Sequence, residues 1–417
     1  MQTHFWKKEN LILQGNKAKK IPDIHGEKIM TADNIKTVAV LGAGDMGHGI
    51  AEVALIAGYK VILRDIKDEF VQKGAKRINE SLAKLVKKGK VPEDHFEKIK
   101  TELLVPCVDL ADAVKNADLV IEVIPEVLDL KKEVFKQIDE YAPEHTILAS
   151  NTSSISITDI ASATKRPDKV MGLHFFNPVV IMKLVEVIKA KKTSEETMKA
   201  GYDFCLKINK LPVRVEKDVP GFLVNRVNAP THVLRGCTID QGIATPEEIE
   251  AVMRKTGMPM GPFELLDFVG LEVHRHVLLY YAENLHPEYK PYRLLDEKVN
   301  AGNYGKKTGK GFFDWSKGRP EIDLTKTTDK FDPADVTAVQ INEALKLVEM
   351  GVCKIDDIDK AMLNASALKE GPMASARKIE PANLVKRLDS LSKKFNKEIF
   401  KPVKMIVEGT YRSKMLY

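Results

Sequence analysis

Hydrophobic residues in the first half of the chain fall into short runs separated by longer amphipathic stretches. Val38-Ala39-Val40-Leu41 and Tyr59-Lys60-Val61-Ile62-Leu63 come first, and residues 119–124, 147–150, 170–173, 184–188 and 213–215 continue the series. Each run is long enough for one buried strand. Between them, residues 46–57, 70–90 and 130–141 space their apolar side chains as helices do, with charged opposite faces. Such alternation predicts a parallel, doubly wound sheet over residues 35–216, with ligands beyond the carboxyl ends of its strands.

From Pro220 the pattern turns helical, over 225–241, 246–256 and 263–285. Residues 302–312 form a glycine-rich closing loop. Residues 316–334 are polar and hold Pro320 and Pro333, as a linker does. The tail then echoes the first helical stretch. Gly242, Ile249 and Met253 recur as Gly351, Ile358 and Met362, and three acids recur between them. Gly261-Pro262 is answered by Gly371-Pro372. Two unrelated amphipathic helices could match this far by chance; a degenerate second copy explains it better. A chain of 417 residues suits two or three domains. The expected division is an N-terminal extension (1–34), a sheet domain (35–216), a helical domain (217–316), a linker (317–334) and the second helical copy (335–417).

The first strand runs straight into Gly42-Ala43-Gly44-Asp45-Met46-Gly47, and the second ends at Arg64-Asp65. Gly42 permits a tight turn, Gly44 lets the backbone approach a pyrophosphate, and Gly47 lets the next helix pack on the sheet. The amides around Asp45 and Met46 open that helix and face phosphates with a favourable dipole. Asp65 stands where a carboxylate accepts the ribose hydroxyls of an adenosine. A lone glycine loop is weak, but strand, loop, helix, strand and terminal acid together predict a Rossmann-type nucleotide site. The fold class is therefore α/β, a Rossmann-type doubly wound sheet followed by all-α C-terminal domains. Asp65 favours NAD, because a carboxylate there repels the 2′-phosphate of NADP; Arg64 is the contrary signal.

Composition narrows the partners. The formal charge of +6 comes from 65 basic and 59 acidic residues, and the lysine pairs lack interleaved aromatics, so no nucleic-acid partner is expected. No apolar run approaches the ~18 residues of a membrane span. Cys107, Cys205, Cys237 and Cys353 lie too far apart for a metal knuckle or a redox pair. They read as free thiols of a reducing, cytoplasmic setting. Residues 1–29 carry acids among their lysines, a poor secretory or transit signal, and read as an appendage.

The substrate side must supply a base, since an alcohol loses its proton as hydride leaves carbon. His174, in Gly172-Leu173-His174-Phe175-Phe176-Asn177-Pro178, follows a predicted strand, and Glu186 sits inside the next one. A neutral imidazole removes a proton near pH 7, and a buried carboxylate on its other nitrogen fixes the tautomer. Taken alone, a histidine among phenylalanines is commonly a core residue, and Glu186 could belong to a structural ion pair. A charge in so apolar a strand is costly without a partner, and that tips the balance toward the pair. Residues 150–154, Ser-Asn-Thr-Ser-Ser, supply short donors after another strand, with a helix cap as the plainer role of Ser154. Asn225 opens the helical region within reach of the same edge.

These motifs, in order and at similar spacing over residues 36–315, resemble the L-3-hydroxyacyl-CoA dehydrogenases, 3-hydroxybutyryl-CoA dehydrogenases among them. These are fatty-acid oxidation enzymes that interconvert 3-hydroxyacyl-CoA and 3-ketoacyl-CoA with NAD. The resemblance implies His174 as general base, Glu186 as its orienting partner, and Ser153 and Asn225 as holders of the 3-oxygen. It also implies Glu126, Lys131, Asn177 and Lys307 near the cofactor, and Ser81 and Lys88 against the CoA part of an acyl-CoA thioester. The tail resembles that of the multifunctional fatty-acid oxidation enzymes, whose dehydrogenase part carries a second helical copy. A monomeric pseudo-dimer is then expected, with a homo-oligomer as the alternative, and an enoyl-CoA hydratase or thiolase is a conceivable partner. The position 109 residues after Asn225 is Ala334, so the second copy is expected to lack an active-site asparagine. Two other readings remain: a dehydrogenase of a free hydroxy acid or sugar acid, and a catalytically silent NAD-binding protein.

Overall fold

The computed structural model describes residues 31–366 and 368–414, so nearly all of the expected N-terminal extension lies outside the described residues. Eight strands form one sheet: β1 (Thr37–Leu41), β2 (Lys60–Arg64), β3 (Leu104–Cys107), β4 (Leu119–Glu122), β5 (Ile147–Ser150), β6 (Val170–Phe175), β7 (Leu184–Ile188) and β8 (Leu211–Val215). Their order is β3-β2-β1-β4-β5-β6-β7-β8. Helices α1 (Asp45–Ile56), α2 (Asp68–Lys87), α3 (Leu128–Tyr141) and α4 (Glu195–Lys207) are the longer ones covering its faces. Strands β4 and β5 are buried throughout, which is why they read as unbroken apolar runs rather than alternating ones.

Two expectations are corrected. The sheet is not wholly parallel: β6 pairs antiparallel with β7, and β8 runs parallel to β7. Residues 176–183 are too short a connection for the crossover that a parallel return requires, so the chain doubles back. The expected helix over 263–285 is two helices, because Gly270 adopts φ +119° and interrupts it. Strand β3 went unpredicted; it holds Pro106, which a sheet tolerates at an edge.

The helical part follows as α5 (Val224–Asp240), α6 (Pro246–Lys255), α7 (Pro262–Val269), α8 (Leu271–Asn284) and α9 (Arg293–Asn300). After a largely irregular stretch with a short 3-10 turn at Lys306–Thr308 come α10 (Pro333–Glu349), α11 (Ile355–Ala365), α12 (Pro372–Lys378) and α13 (Pro381–Phe395). The core on the α3 face of the sheet, with Leu41, Phe135 and Leu148, continues without a break through Phe222, Leu234, Leu345 and Phe400. The α1 and α2 face keeps a separate core around Val40, Ile50, Ile78 and Leu173.

Candidate active site

A cleft of about 1370 Å³ opens beyond the carboxyl ends of β1, β4, β5 and β6, where the strand order reverses about β1. Its floor is the loop between β1 and α1. Gly42 has φ +118°, and a Cβ there would stand 2.5 Å from the carbonyl oxygen of Val123. A Cβ on Gly47 would fall 1.8 Å from the Gly42 carbonyl oxygen, so the loop can fold this tightly only with glycine. Beside Gly44 the space is open, and Asp45 and Met46 also line the cleft. Asp65 caps the end of β2, its carboxylate accepting the amides of Ala43 (2.8 Å) and Ile66 (2.7 Å). A helix N-terminus, a closely folded glycine loop and an acid beside it fit a dinucleotide. Arg64 donates through Nε to the Val108 carbonyl (2.9 Å).

On the far wall the antiparallel register sets His174 directly opposite Glu186. The His174 Nδ1 lies 2.6 Å from Glu186 Oε2, and the ring packs on Phe176 and Phe222 with centroids 4.6 and 5.8 Å away. Glu186 is fully buried. Its other oxygen accepts the amides of Leu223 (3.1 Å) and Val224 (2.8 Å) at the start of α5, so a helix N-terminus holds the carboxylate. With Nδ1 engaged, Nε2 is the ring nitrogen left for chemistry. Asn225, the next residue of α5, lines the same cleft, as do Ser153, Phe176 and Asn177.

A second carboxylate organises the loop after β5. Glu126 accepts the Thr152 hydroxyl and the Ser153 amide (2.9 Å), with the Ser153 and Ser154 hydroxyls at 3.4 and 3.3 Å. Lys131 stands behind it, 1% exposed, its Nζ 3.2 Å from Glu126 and 2.6 Å from the buried Glu122. Burial would push the Glu126 carboxyl up; Lys131 and the Thr152 and Ser153 donors outweigh it and hold the group below its ordinary value.

The sequence profile for "3-hydroxyacyl-CoA dehydrogenase, NAD binding domain" matches residues 37–219, and that for "3-hydroxyacyl-CoA dehydrogenase, C-terminal domain" matches residues 221–315. The mitochondrial hydroxyacyl-coenzyme A dehydrogenase of Mus musculus is 44% identical over 286 residues, covering 67% of this chain and 91% of the relative. A probable 3-hydroxybutyryl-CoA dehydrogenase of Bacillus subtilis is 42% identical, covering 68% of this chain and 98% of its own. The chain belongs to the 3-hydroxyacyl-CoA dehydrogenase family. It is accordingly an enzyme, an NAD-dependent 3-hydroxyacyl-CoA dehydrogenase. The crystal structure of 3-hydroxybutyryl-CoA dehydrogenase from Escherichia coli K12 superposes with a TM-score of 0.83 at 30% identity, covering 92% of this chain and 100% of that one.

In this dehydrogenase, three of the expected ligand residues stand apart from the cleft lining. The Ser81 hydroxyl donates to the buried Glu52 (2.6 Å), whose carboxyl burial pushes up to about 7. Lys88 is exposed at the C-terminal end of α2. Lys307 pairs with Glu272, which does line the cleft, and its ammonium stands 5.1 Å over the Tyr304 ring. Several residues of the site escaped the sequence reading. Glu122 carries the same signal that singled out Glu186, a charge inside an apolar run. Glu272, Val273 and His276 on α8 gave none; Asn151, already read among the short polar residues after β5, accepts the Phe175 amide (2.8 Å). Among the described residues no helix is long and apolar enough to cross a membrane, and no group of His, Cys, Asp and Glu could hold a metal.

Proposed function

We propose that this chain oxidises (S)-3-hydroxyacyl-CoA reversibly to 3-ketoacyl-CoA, with His174 as general base. NAD, when bound along Gly42–Gly47, Asp65, Glu126, Lys131, Asn177 and Lys307, supplies the hydride acceptor. His174 takes the hydroxyl proton on Nε2, and Glu186 on Nδ1 holds the tautomer and stabilises the imidazolium. In the reverse direction the same nitrogen returns the proton. The Ser153 hydroxyl and the Asn225 amide hold the 3-oxygen while its charge changes; donors of this kind contribute about 3 kcal/mol each. Ser81 and Lys88 serve the CoA moiety. The observation that carries the reading is the His174–Glu186 contact of 2.6 Å at the wall of a cleft whose floor fits a dinucleotide. NADH consumption tests it. Acetoacetyl-CoA should be reduced and free acetoacetate left nearly untouched, with NADPH a poor substitute; equal rates on the free acid would sink the CoA assignment.

The region 335–417 is read as a degenerate second copy of 217–316, after a linker at 317–334. Its support is the order α10 to α13 answering α5 to α8, together with the recurring Gly-Pro steps. Residues of α10 pack on α5 within the one chain, as in a monomeric pseudo-dimer. Light scattering that returned twice the chain mass would set this aside. The free cysteines Cys107, Cys205, Cys237 and Cys353 favour a reducing compartment such as the cytoplasm.

A further inference from the structure

The region beyond residue 315, which neither family profile matches, touches both elements that hold Glu186. Helix α11 packs on β7 and β8, and the Glu216 amide, just after β8, donates to Val352 (2.7 Å). Helix α10 lies across α5. There Glu343 accepts from Arg226 Nε at 2.5 Å, with the two side chains 0% and 6% exposed. One turn back along α10, Gln340 donates to Asn228 (2.8 Å), a second tie in the same antiparallel register. Arg226 directly follows Asn225 and stands three residues after Leu223, one of the two amides on Glu186. Tyr281, almost fully buried, lies within the field of Arg226, Glu186 and Glu343 together. A buried ion pair adds little net stability compared with apolar packing; its best-attested use is to fix a register. The register fixed here is that of the first turn of α5.

We propose that Glu343 is a positioning residue for the dehydrogenase reaction. By pairing with Arg226 it locks the first turn of α5, so that the Leu223 and Val224 amides keep Glu186 aligned on His174 and Asn225 stays turned into the cleft. The inference rests on the roles given above to His174, Glu186 and Asn225. It makes the C-terminal region part of the apparatus that aligns the base, though none of its described residues lines the cleft.

Steady-state kinetics of E343Q with acetoacetyl-CoA and NADH test it, against L345A and H174Q in parallel. Leu345 is a fully buried residue of α10 with no polar tie to α5. E343Q should lower kcat roughly 10- to 100-fold with the KM for NADH unchanged, as expected of a small misplacement at the reacting atoms. L345A should lower the melting temperature at least as far yet keep wild-type kcat per folded molecule. Should E343Q not accumulate folded, E343D serves, keeping the charge one methylene short, and an intermediate loss of kcat is expected. Wild-type kcat in a folded Glu343 variant overturns the proposal while a dead H174Q leaves the base assignment standing. Full activity in H174Q overturns both.

Discussion

The two helical regions solve one local problem identically and then part. In the first, the Glu250 carboxylate on α6 accepts the amides of Phe263 (2.9 Å) and Glu264 (3.3 Å) and so caps α7. In the second, Asp359 on α11 accepts the amides of Met373 (2.7 Å) and Ala374 (2.8 Å) and caps α12. The glycine before each proline makes room: a Cβ on Gly261 or on Gly371 would fall 2.3 Å from the capping carboxylate. Yet among the described residues only the first region reaches the cleft, through Asn225, Glu272, Val273, His276 and Val277. The second packs against the first, with Glu343 and Gln340 turned toward α5. Shared capping chemistry fixes the shape of a helical unit; one side chain at a helix start and the face it docks by decide whether it serves a reaction.

The contrast can be broken in order of expected effect. His174→Gln should cut turnover by about 10²- to 10⁴-fold, the usual worth of a general base, while NAD affinity measured by fluorescence titration holds. Asn225→Ala should cost about 10²-fold in kcat, whereas Ala334→Asn, at the corresponding start of α10, should change nothing; any rate gain in the latter would mean the second region has a latent site.

Away from both helical regions, Glu52 should show in stability rather than in rate. Its carboxyl is raised from 4.5 to about 7 by burial, with the Ser81 bond and Lys210 opposing. A raised carboxyl gives its full stability below the unfolded value and loses it as pH climbs through the folded one. Between these limits the wild type should lose roughly 3 kcal/mol that Glu52→Gln keeps. Melting curves of both proteins at about pH 5 and about pH 8 check this; parallel shifts would refute it. The smallest effect belongs to the caps. Glu250→Gln and Asp359→Asn should each cost about 1–2 kcal/mol in urea unfolding, with a raised KM for acetoacetyl-CoA in the first alone.

Much of the sheet was readable because burial on both faces forces unbroken apolar runs, and β4, β5 and β7 fall within or on the runs that announced them. Charges inside such runs were equally loud. Glu186 was read and Glu122 was passed over, although burial costs the two alike. Residues reached by folding rather than by pattern stayed silent, as Glu272, Val273 and His276 did. Asn151 and Thr152 were legible as short polar residues, but their partners, the Phe175 amide and Glu126, appear only in the folded loop after β5. Ser81 and Lys88 came from resemblance, and the structure sets both outside the cleft lining.

By itself the chain determined seven of the eight strands, the glycine loop that only glycine can fold, and the acid at the tip of β2. These are local matters of sterics and periodicity, settled within a dozen residues. The short link after β6 bars a parallel return, but only the tertiary structure decided that the returning strand pairs with β6 itself, since the choice of neighbour is not written in the run. That reversal makes His174 and Glu186 cross-strand neighbours. It likewise decided that Arg226 would meet Glu343, because two residues so distant in sequence are joined only by the way α5 and α10 cross.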